Sequence, residues 1–290
     1  METNQLATTQ KQGITAFLSS EAVKNNIVQV VGQKNSTKFI ASVVSAVQAN
    51  PTLGECTNKS ILSSALLGEA LQLSPSPQLG QYYMVPYDNS KKVGNTWQKV
   101  KEAQFQIGYK GMIQLAIRSG QYRKITVTEI KDGEVVSYNS ITEDAVFKPI
   151  MNQSDRANAR TVGYYAMFEL MNGFRKELYW PIEKMEEHAK AYSSGYRNDL
   201  NKGTKYTFWS KSFNEMAKKT MLRQLISKWG IMSIEMQKAY ESDMAVIDDN
   251  GNQEYVDNQT VEETVESDIA ENANKTEFID ADESDVKEVQ

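Results

Sequence analysis

The sequence predicts an α+β chain: N-terminal helices, a central antiparallel β-sheet with packed helices, C-terminal helices and a disordered acidic tail. Three observations carry that reading. Apolar residues recur at helical spacing across residues 14–73, the period drops to two from Gly80, and beyond Tyr240 carboxylates replace the apolar residues that a core needs. The expected divisions are a disordered N-terminus over 1–13, a folded body over 14–240 and a tail over 241–290.

The helical start carries two stripes, Phe39, Val43, Val44 and Val47, then Leu62, Leu66, Ala70 and Leu73. Asn50-Pro51 separates them, Thr57 or Asn58 supplies a cap for the second, and Pro75 and Pro77 lie past its end. Strands are expected over Gln81–Asp88 and Trp97–Tyr109, joined by the polar turn Asn89–Asn95. On the second strand Ala103, Phe105, Ile107 and Tyr109 share one face, while Gln104 and Gln106 share the other. A short helix, Lys110–Ser119, should stop at Gly120. Two hairpins should follow: Asp132-Gly133 joining 124–131 to 134–138, and Asn172-Gly173 joining 161–171 to 174–180. Pro181 suits the start of a helix running to Tyr192. Residues 193–205, broken by Gly and Ser-Gly, read as a mobile basic loop. The last long helix, about Thr207–Trp229, places Trp209, Phe213, Met216 and Thr220 on one stripe. Lys211, Lys218, Lys219 and Arg223 fall on a separate arc, which Leu222 also enters.

Charge is unevenly distributed. The net charge of −5 is the average of a body with 30 basic and 20 acidic residues over 1–240 and a tail with 2 basic and 17 acidic residues over 241–290. A basic body beside an acidic tail points to a polyanionic partner. Cys56 is the single cysteine and His188 the single histidine, so neither a disulfide framework nor a Cys/His zinc site can be assembled within one chain. No apolar run has the length of a membrane span, and residues 1–13 lack the apolar centre of a signal peptide. A cytoplasmic protein with no membrane partner is expected.

Catalytic patterns are not found. The sequence has no G-x-x-x-x-G-K-[ST] loop, no H-E-x-x-H and no G-x-S-x-G. His188, beside Glu186 and Glu187, reads as an ordinary boundary histidine, and the Gly108-Tyr109-Lys110-Gly111 stretch reads as a strand-to-helix turn. No enzyme, no ATP and no protein metal site are expected, with Mg²⁺ at most modulating nucleic-acid binding. Basic residues interleaved with aromatics stand out instead. Residues 91–131 and 190–228 each hold nine Lys/Arg and two acidic residues. Cations that follow phosphates and flat side chains that meet bases are what a single-strand binder requires. The candidate contacts are Lys99, Lys101, Tyr109, Lys110, Arg118, Arg123 and Lys124 in the first block. In the second they are Arg197, Lys202, Lys205, Lys211, Lys218, Lys219 and Arg223. Trp209 and Phe213, on the apolar stripe, are expected to pack in the core.

Three blocks, in this order, resemble the RecT family of phage single-strand annealing proteins. The first is Ala65-Leu66-Leu67-Gly68-Glu69-Ala70-Leu71-Gln72-Leu73-Ser74-Pro75 with Leu79-Gly80-Gln81-Tyr82-Tyr83-Met84-Val85-Pro86-Tyr87. The second is Gln104-Phe105-Gln106-Ile107-Gly108-Tyr109-Lys110-Gly111-Met112-Ile113 with Arg118-Ser119-Gly120, and the third runs from Trp209-Ser210-Lys211 through Met216-Ala217-Lys218-Lys219-Thr220 to Arg223. Together they span roughly residues 40–230. The family's usual leucine-glycine-leucine is Leu71-Gln72-Leu73 here, and 137–160 shows little of its pattern.

The resemblance implies ATP-independent single-stranded DNA binding and annealing of complementary strands in phage recombination, by an oligomeric ring or helical filament. It also implies a core like that of the phage lambda Beta protein and the eukaryotic annealing proteins. Residues 14–240 would then be the DNA-binding, annealing and oligomerisation domain. Gln104 and Gln106 would contact backbone or base edges, and the C-terminal region would meet a phage exonuclease or a host single-strand-binding protein. A Mg-dependent nuclease and a structural filament or adaptor acting through its acidic tail are the alternatives.

Overall fold

The computed structural model describes residues 13–93, 96–247 and 253–255. Most of the two segments expected to lack order, 1–12 and 256–290, lies outside the described residues, as do 94–95 at a strand turn. The helical start comprises α1 (Ile14–Leu18), α2 (Glu21–Val31), α3 (Gln33–Ala49), a 3-10 turn at Pro51–Glu55 and α4 (Asn58–Ala70). Thr57 is the cap of α4, its hydroxyl accepting from the Ser60 amide. Phe39, Val43, Val47 and Leu62 are buried, as their spacing predicts, whereas Val44 and Leu66 are half-buried against the same core.

The next elements are β1 (Tyr82–Val93), β2 (Thr96–Ile107), α5 (Tyr109–Arg118), β3 (Tyr122–Lys131), β4 (Val135–Tyr138), β5 (Ala145–Phe147), α6 (Gln153–Asn158), β6 (Thr161–Leu170) and β7 (Arg175–Pro181). The C-terminal part is α7 (Ile182–Tyr192), α8 (Ser194–Lys202), α9 (Phe208–Lys211), α10 (Phe213–Trp229), α11 (Ile234–Glu241), β8 (Ala245–Ile247) and β9 (Gln253–Tyr255). The fold is α+β and every described strand pair is antiparallel, but the strands form three sheets rather than one: β1-β2-β8-β9, β3-β6-β7 and β4-β5.

Several expected elements change. The polar segment Asn89–Val93 belongs to β1, because the β1–β2 ladder runs without a slip from Tyr82↔Ile107 to Val93↔Thr96. Asp132-Gly133 makes a turn but not a hairpin, since β3 pairs with β6 while β4 pairs with β5. The cause is Glu134. Its buried carboxylate accepts from the Lys131 amide at 2.8 Å, from Arg156 Nε at 2.7 Å and from the Ile150 amide at 3.2 Å, which draws the chain away from β3. Asn172-Gly173 does join β6 to β7, with Gly173 left-handed.

Most of the segment 193–205, expected as a mobile loop, is helix α8 over Ser194–Lys202. Ser193 caps α8 by accepting from the Tyr196 amide, and left-handed Gly203 ends it, so the small residues there are caps rather than breaks. The single helix expected over 207–229 is two helices broken at Ser212. Residues 241–247, assigned to the tail by their charge, belong to the folded body. Asp243 is buried and β8 adds to β2, with Gln104↔Val246 and Phe105↔Ala245 paired.

Close backbone approaches explain why glycines sit where the strands meet the helices. A Cβ on Gly108 would lie 2.2 Å from the Gly80 carbonyl oxygen, and one on Gly111 would lie 2.1 Å from that of Gln81. The Gly108-x-x-Gly111 spacing therefore lets the start of β1 cross the first turn of α5. Gln72, in the place of the family's glycine, is left-handed at φ 52°. Arg118 compensates, donating to the Gln72 carbonyl at 3.4 Å, to its side-chain oxygen at 3.2 Å and to the Leu71 carbonyl at 2.6 Å.

On α7, His188 lies between Trp180, edge-on at 5.4 Å, and Tyr192, tilted at 4.5 Å. Burial, aided by the nearby Lys184 charge, pushes its imidazole down to about 4. The neutral ring is the form that folds, so the stability it supports is full above an unfolded value near 6.5 and is lost as pH falls toward 4. Urea unfolding midpoints should therefore drop between pH 7.5 and about 5, above the range where most carboxylates titrate. In His188→Phe that drop should largely vanish. An undiminished drop in the variant would show that another group controls it.

Candidate nucleic-acid interface

A groove runs between the β1–β2 ribbon and the α9–α10 segment. Its larger part, about 640 Å³, is lined by Pro86, Tyr87, Lys101, Tyr206, Phe208 and Lys211 among others. A smaller part, about 170 Å³, is lined by Tyr83, Tyr109, Phe208, Glu215 and Lys219 among others. Gln106, Phe208 and Met216 border both, so the two hollows adjoin. The walls include the rings of Tyr83, Tyr87, Tyr109, Tyr206, Phe208 and Trp209, with Tyr83 and Phe208 5.7 Å apart and Tyr206 79% exposed.

One wall is fixed by a carboxylate the sequence did not single out. Asp199, buried at the end of α8, accepts from Thr204 Oγ1 at 2.6 Å, from the Thr207 amide at 2.8 Å, from Thr207 Oγ1 at 2.8 Å and from Ser210 Oγ at 2.7 Å. Burial alone would raise its pKa, but these bonds outweigh burial and hold the carboxyl well below the usual range. The loop that presents Tyr206 and Phe208 is thus tied to α8 and to the first turn of α9. Beneath it Trp209 packs on Phe213 at 5.3 Å and on Tyr196 at 6.1 Å; Trp209 is in the core as its stripe predicts, while Phe213 is half-buried against it.

The opposite wall is joined to α10 through Asp243. Its carboxylate accepts from Lys219 Nζ at 2.7 Å, from Arg223 Nη1 at 2.9 Å and from the Ile107 amide at 3.1 Å. Lys219 is 6% exposed; burial lowers its pKa and Asp243 opposes that. Gln104 Nε2 donates to the Met244 carbonyl, and Gln106 Nε2 donates to Gln104 Oε1 at 2.7 Å. Both glutamines are buried, Gln104 completely, so their side chains are not presented freely to solvent. Gln106 still borders the groove.

The remaining candidate residues divide by location. Lys101 and Lys211 line the groove, Lys211 exposed and Lys101 bonded to Glu55 at 2.7 Å, which raises its pKa. Lys218 stands over the Tyr109 ring at 5.6 Å. Burial would lower its pKa, but Glu129 at 3.0 Å and Glu215 at 3.1 Å raise it overall. Glu129 is held down to about 2, its burial outweighed by Lys131 and Lys218. Lys110 is exposed on the first turn of α5, beside Gly80. Lys99 is exposed on the outer half of the ribbon, and Arg197, Lys202 and Lys205 are exposed around α8, with Lys205 next to the groove residue Tyr206. Arg118, Arg123 and Lys124 do not line the groove. Arg118 is engaged with Leu71 and Gln72, and Arg123 pairs with Glu169 at 3.0 Å. Tyr83, Tyr87, Phe208 and Met216 line it without having been picked out as contacts. Their alternation and stripe positions read equally well as core. Among the described residues, no group of three or more His, Cys, Asp or Glu is placed to hold a metal, and no helix is long and apolar enough to cross a membrane.

The sequence profile of the RecT family matches residues 37–263, well over half of the chain. The chain belongs to the RecT family. Membership implies single-strand annealing in DNA recombination, and with it binding of single-stranded DNA; RecT-family proteins are annealing proteins rather than known enzymes. The chain is 35% identical over 283 residues to YqaK of Bacillus subtilis (strain 168), a protein described as uncharacterized, covering 97% of this chain and 84% of the relative. It is 26% identical over 242 residues to Protein RecT of Escherichia coli (strain K12), covering 82% of each. All three sequence blocks lie inside or overlap the family match, and they supply the groove's two walls: Tyr83–Tyr87 and Gln106–Tyr109 on one side, Lys211–Lys219 on the other.

Because Lys219 has been taken out of water, its partner matters more than the pair itself. Asp243→Asn should destabilise the RecT-family fold by about 3–5 kcal/mol, the cost of a buried charge left without its counter-charge. Adding Lys219→Met to Asp243→Asn should recover much of that loss in urea unfolding. Equal destabilisation by the single and double variants would mean the clasp matters for shape and not for charge.

Proposed function

We propose that the groove holds one DNA strand extended, with phosphates following Lys101 and Lys211 and bases against Tyr83, Phe208 and Tyr206, while a complementary strand pairs with the exposed base edges. The observation that carries this reading is a pair of adjoining hollows that bring the Tyr83, Tyr206 and Phe208 rings together with Lys101 and Lys211, all within the residues that match the family. Base–aromatic stacking is worth roughly 1–3 kcal/mol per base and tolerates any sequence, which is what an annealing protein needs. Phosphate contacts give affinity without sequence choice.

Pairing is downhill once both strands are held with their bases accessible, so the reaction runs without ATP or another cofactor. Neighbouring subunits in a ring or helical filament would continue the track beyond one chain. A phage exonuclease would supply the single strand, and the C-terminal region is where it or a host single-strand-binding protein would attach. In this reading the protein is not an enzyme, it acts in the cytoplasm, and residues 14–240 carry the binding and assembly functions.

Two complementary oligonucleotides should form duplex faster with the protein than without it, at the same rate whether or not ATP is present. Adding the strands one after the other should yield larger assemblies than adding two non-complementary strands. Binding to one strand should weaken with salt along a log–log slope of about −0.7 per phosphate contacted. A strict ATP requirement, or acceleration that ignores complementarity, would overturn the annealing reading.

A further inference from the structure

A second hollow lies near the far end of α10, where Trp229 stands about 15 Å along the helix axis from Lys219. It measures about 110 Å³ and is bordered by Lys176, Lys184 and Lys228, by Trp180 and Trp229, and by Glu143. Three ammonium groups against one carboxylate leave it with two surplus positive charges. The rings orient two of those groups: Lys184 Nζ lies 4.7 Å from the Trp180 ring centre and Lys176 Nζ lies 5.0 Å from that of Trp229. The Lys176 ammonium is shared with Glu143 at 3.0 Å, whereas Lys184 and Lys228 are exposed on α7 and α10 with no ion pair among the described residues. Trp229 is 48% exposed, and Phe174 and Ile231 add apolar surface at the same end of the molecule.

We propose that this hollow docks an acidic peptide of another protein, taking its carboxylates on Lys184 and Lys228 and an apolar side chain on Trp229. This goes beyond the annealing reading and does not depend on it. The surrounding charge favours a short acidic segment over a nucleic-acid strand. Glu143, Asp144 and Glu177 line the adjoining depression together with Arg175 and Lys176, which pair with Glu177 at 2.8 Å and Glu143 at 3.0 Å, so a continuous run of phosphates leaving the hollow on that side would find no surplus of cations. A peptide needs only two or three anionic groups and one apolar one, which the hollow's lining matches. An exposed tryptophan beside cations is also an ordinary anchor for a protein contact.

The test uses the full-length protein and a synthetic Glu-Asp-Phe-Asp-Glu peptide. Binding is followed by calorimetry and by the ring signals of His188, the one histidine of the chain, which lies against Trp180. The peptide should bind saturably, shift the His188 signals, and lose affinity as salt rises. In Lys184→Gln/Lys228→Gln its affinity should fall on the order of tenfold, since both charge-assisted contacts go, while single-strand affinity stays within about twofold. Saturating single-stranded DNA should leave peptide binding intact. Absence of saturable binding, equal binding by the variant, or displacement of the peptide by DNA would each overturn the proposal, the last by assigning the hollow to the nucleic-acid track.

Discussion

One buried carboxylate ties the two walls of the groove together. Asp243 meets the α10 cations Lys219 and Arg223 and the β2 amide of Ile107 at once, and β8 follows immediately to pair with β2. Without it, an ammonium in the interior would lack its counter-charge, and α10 would lose its polar link to the sheet that forms the opposite wall. Arg223 is bound on one side and 43% exposed on the other, so it is held in place near the junction without being buried. The link between α10 and β2 is therefore an electrostatic one inside the fold. The exposed cations at the groove's border stand on a frame in which Lys219 and Arg223 are already paired with Asp243.

That balance has a consequence for which lysines matter. Lys219 and Lys218, prominent in the basic stripe of α10, are engaged with Asp243, Glu129 and Glu215 and serve as structural charges. Lys211 and Lys110 make no ion pair among the described residues and are exposed, one lining the groove and one beside its Tyr83 end. The neighbouring tyrosines stay protonated well above neutral pH: burial, with Glu215 adding to it, raises the pKa of both Tyr83 and Tyr109. The groove thus offers neutral rings and hydroxyls along its walls, with positive charge at its border, an arrangement suited to bases inside and phosphates outside.

What could be read from the sequence was what local rules decide. The Asn172-Gly173 hairpin, the Thr57 cap, the α5 helix and the core stripe of Trp209 and Phe213 each follow from a spacing or a turn type within a few residues. The readings that changed were decided at long range. Asp132-Gly133 resembles a hairpin turn, but Glu134 bonds to Ile150 and Arg156 and sends β4 to a different partner. Residues 193–205 contain the small residues of a loop, yet Asp199 collects hydrogen bonds from Thr204, Thr207 and Ser210 and fixes the segment. Gln104 and Gln106 face away from the apolar side of β2, but the chain returns 140 residues later to accept from Gln104, and Gln106 bonds to Gln104 in turn. Asp243 looked like the start of an acidic tail because composition is an average, and one carboxylate opposite a buried lysine is invisible to it.

The claim that most of this rests on is that the strand lies between the ribbon and α9–α10, and it can be tested by position. A photoreactive benzoylphenylalanine placed at Phe208, on the groove wall, should cross-link to single-stranded DNA in proportion to binding. The same group at Phe174, at the other end of α10, should give little or no cross-link. Cross-linking from 174 that matches or exceeds that from 208, at equal occupancy, would place the strand elsewhere and contradict the account.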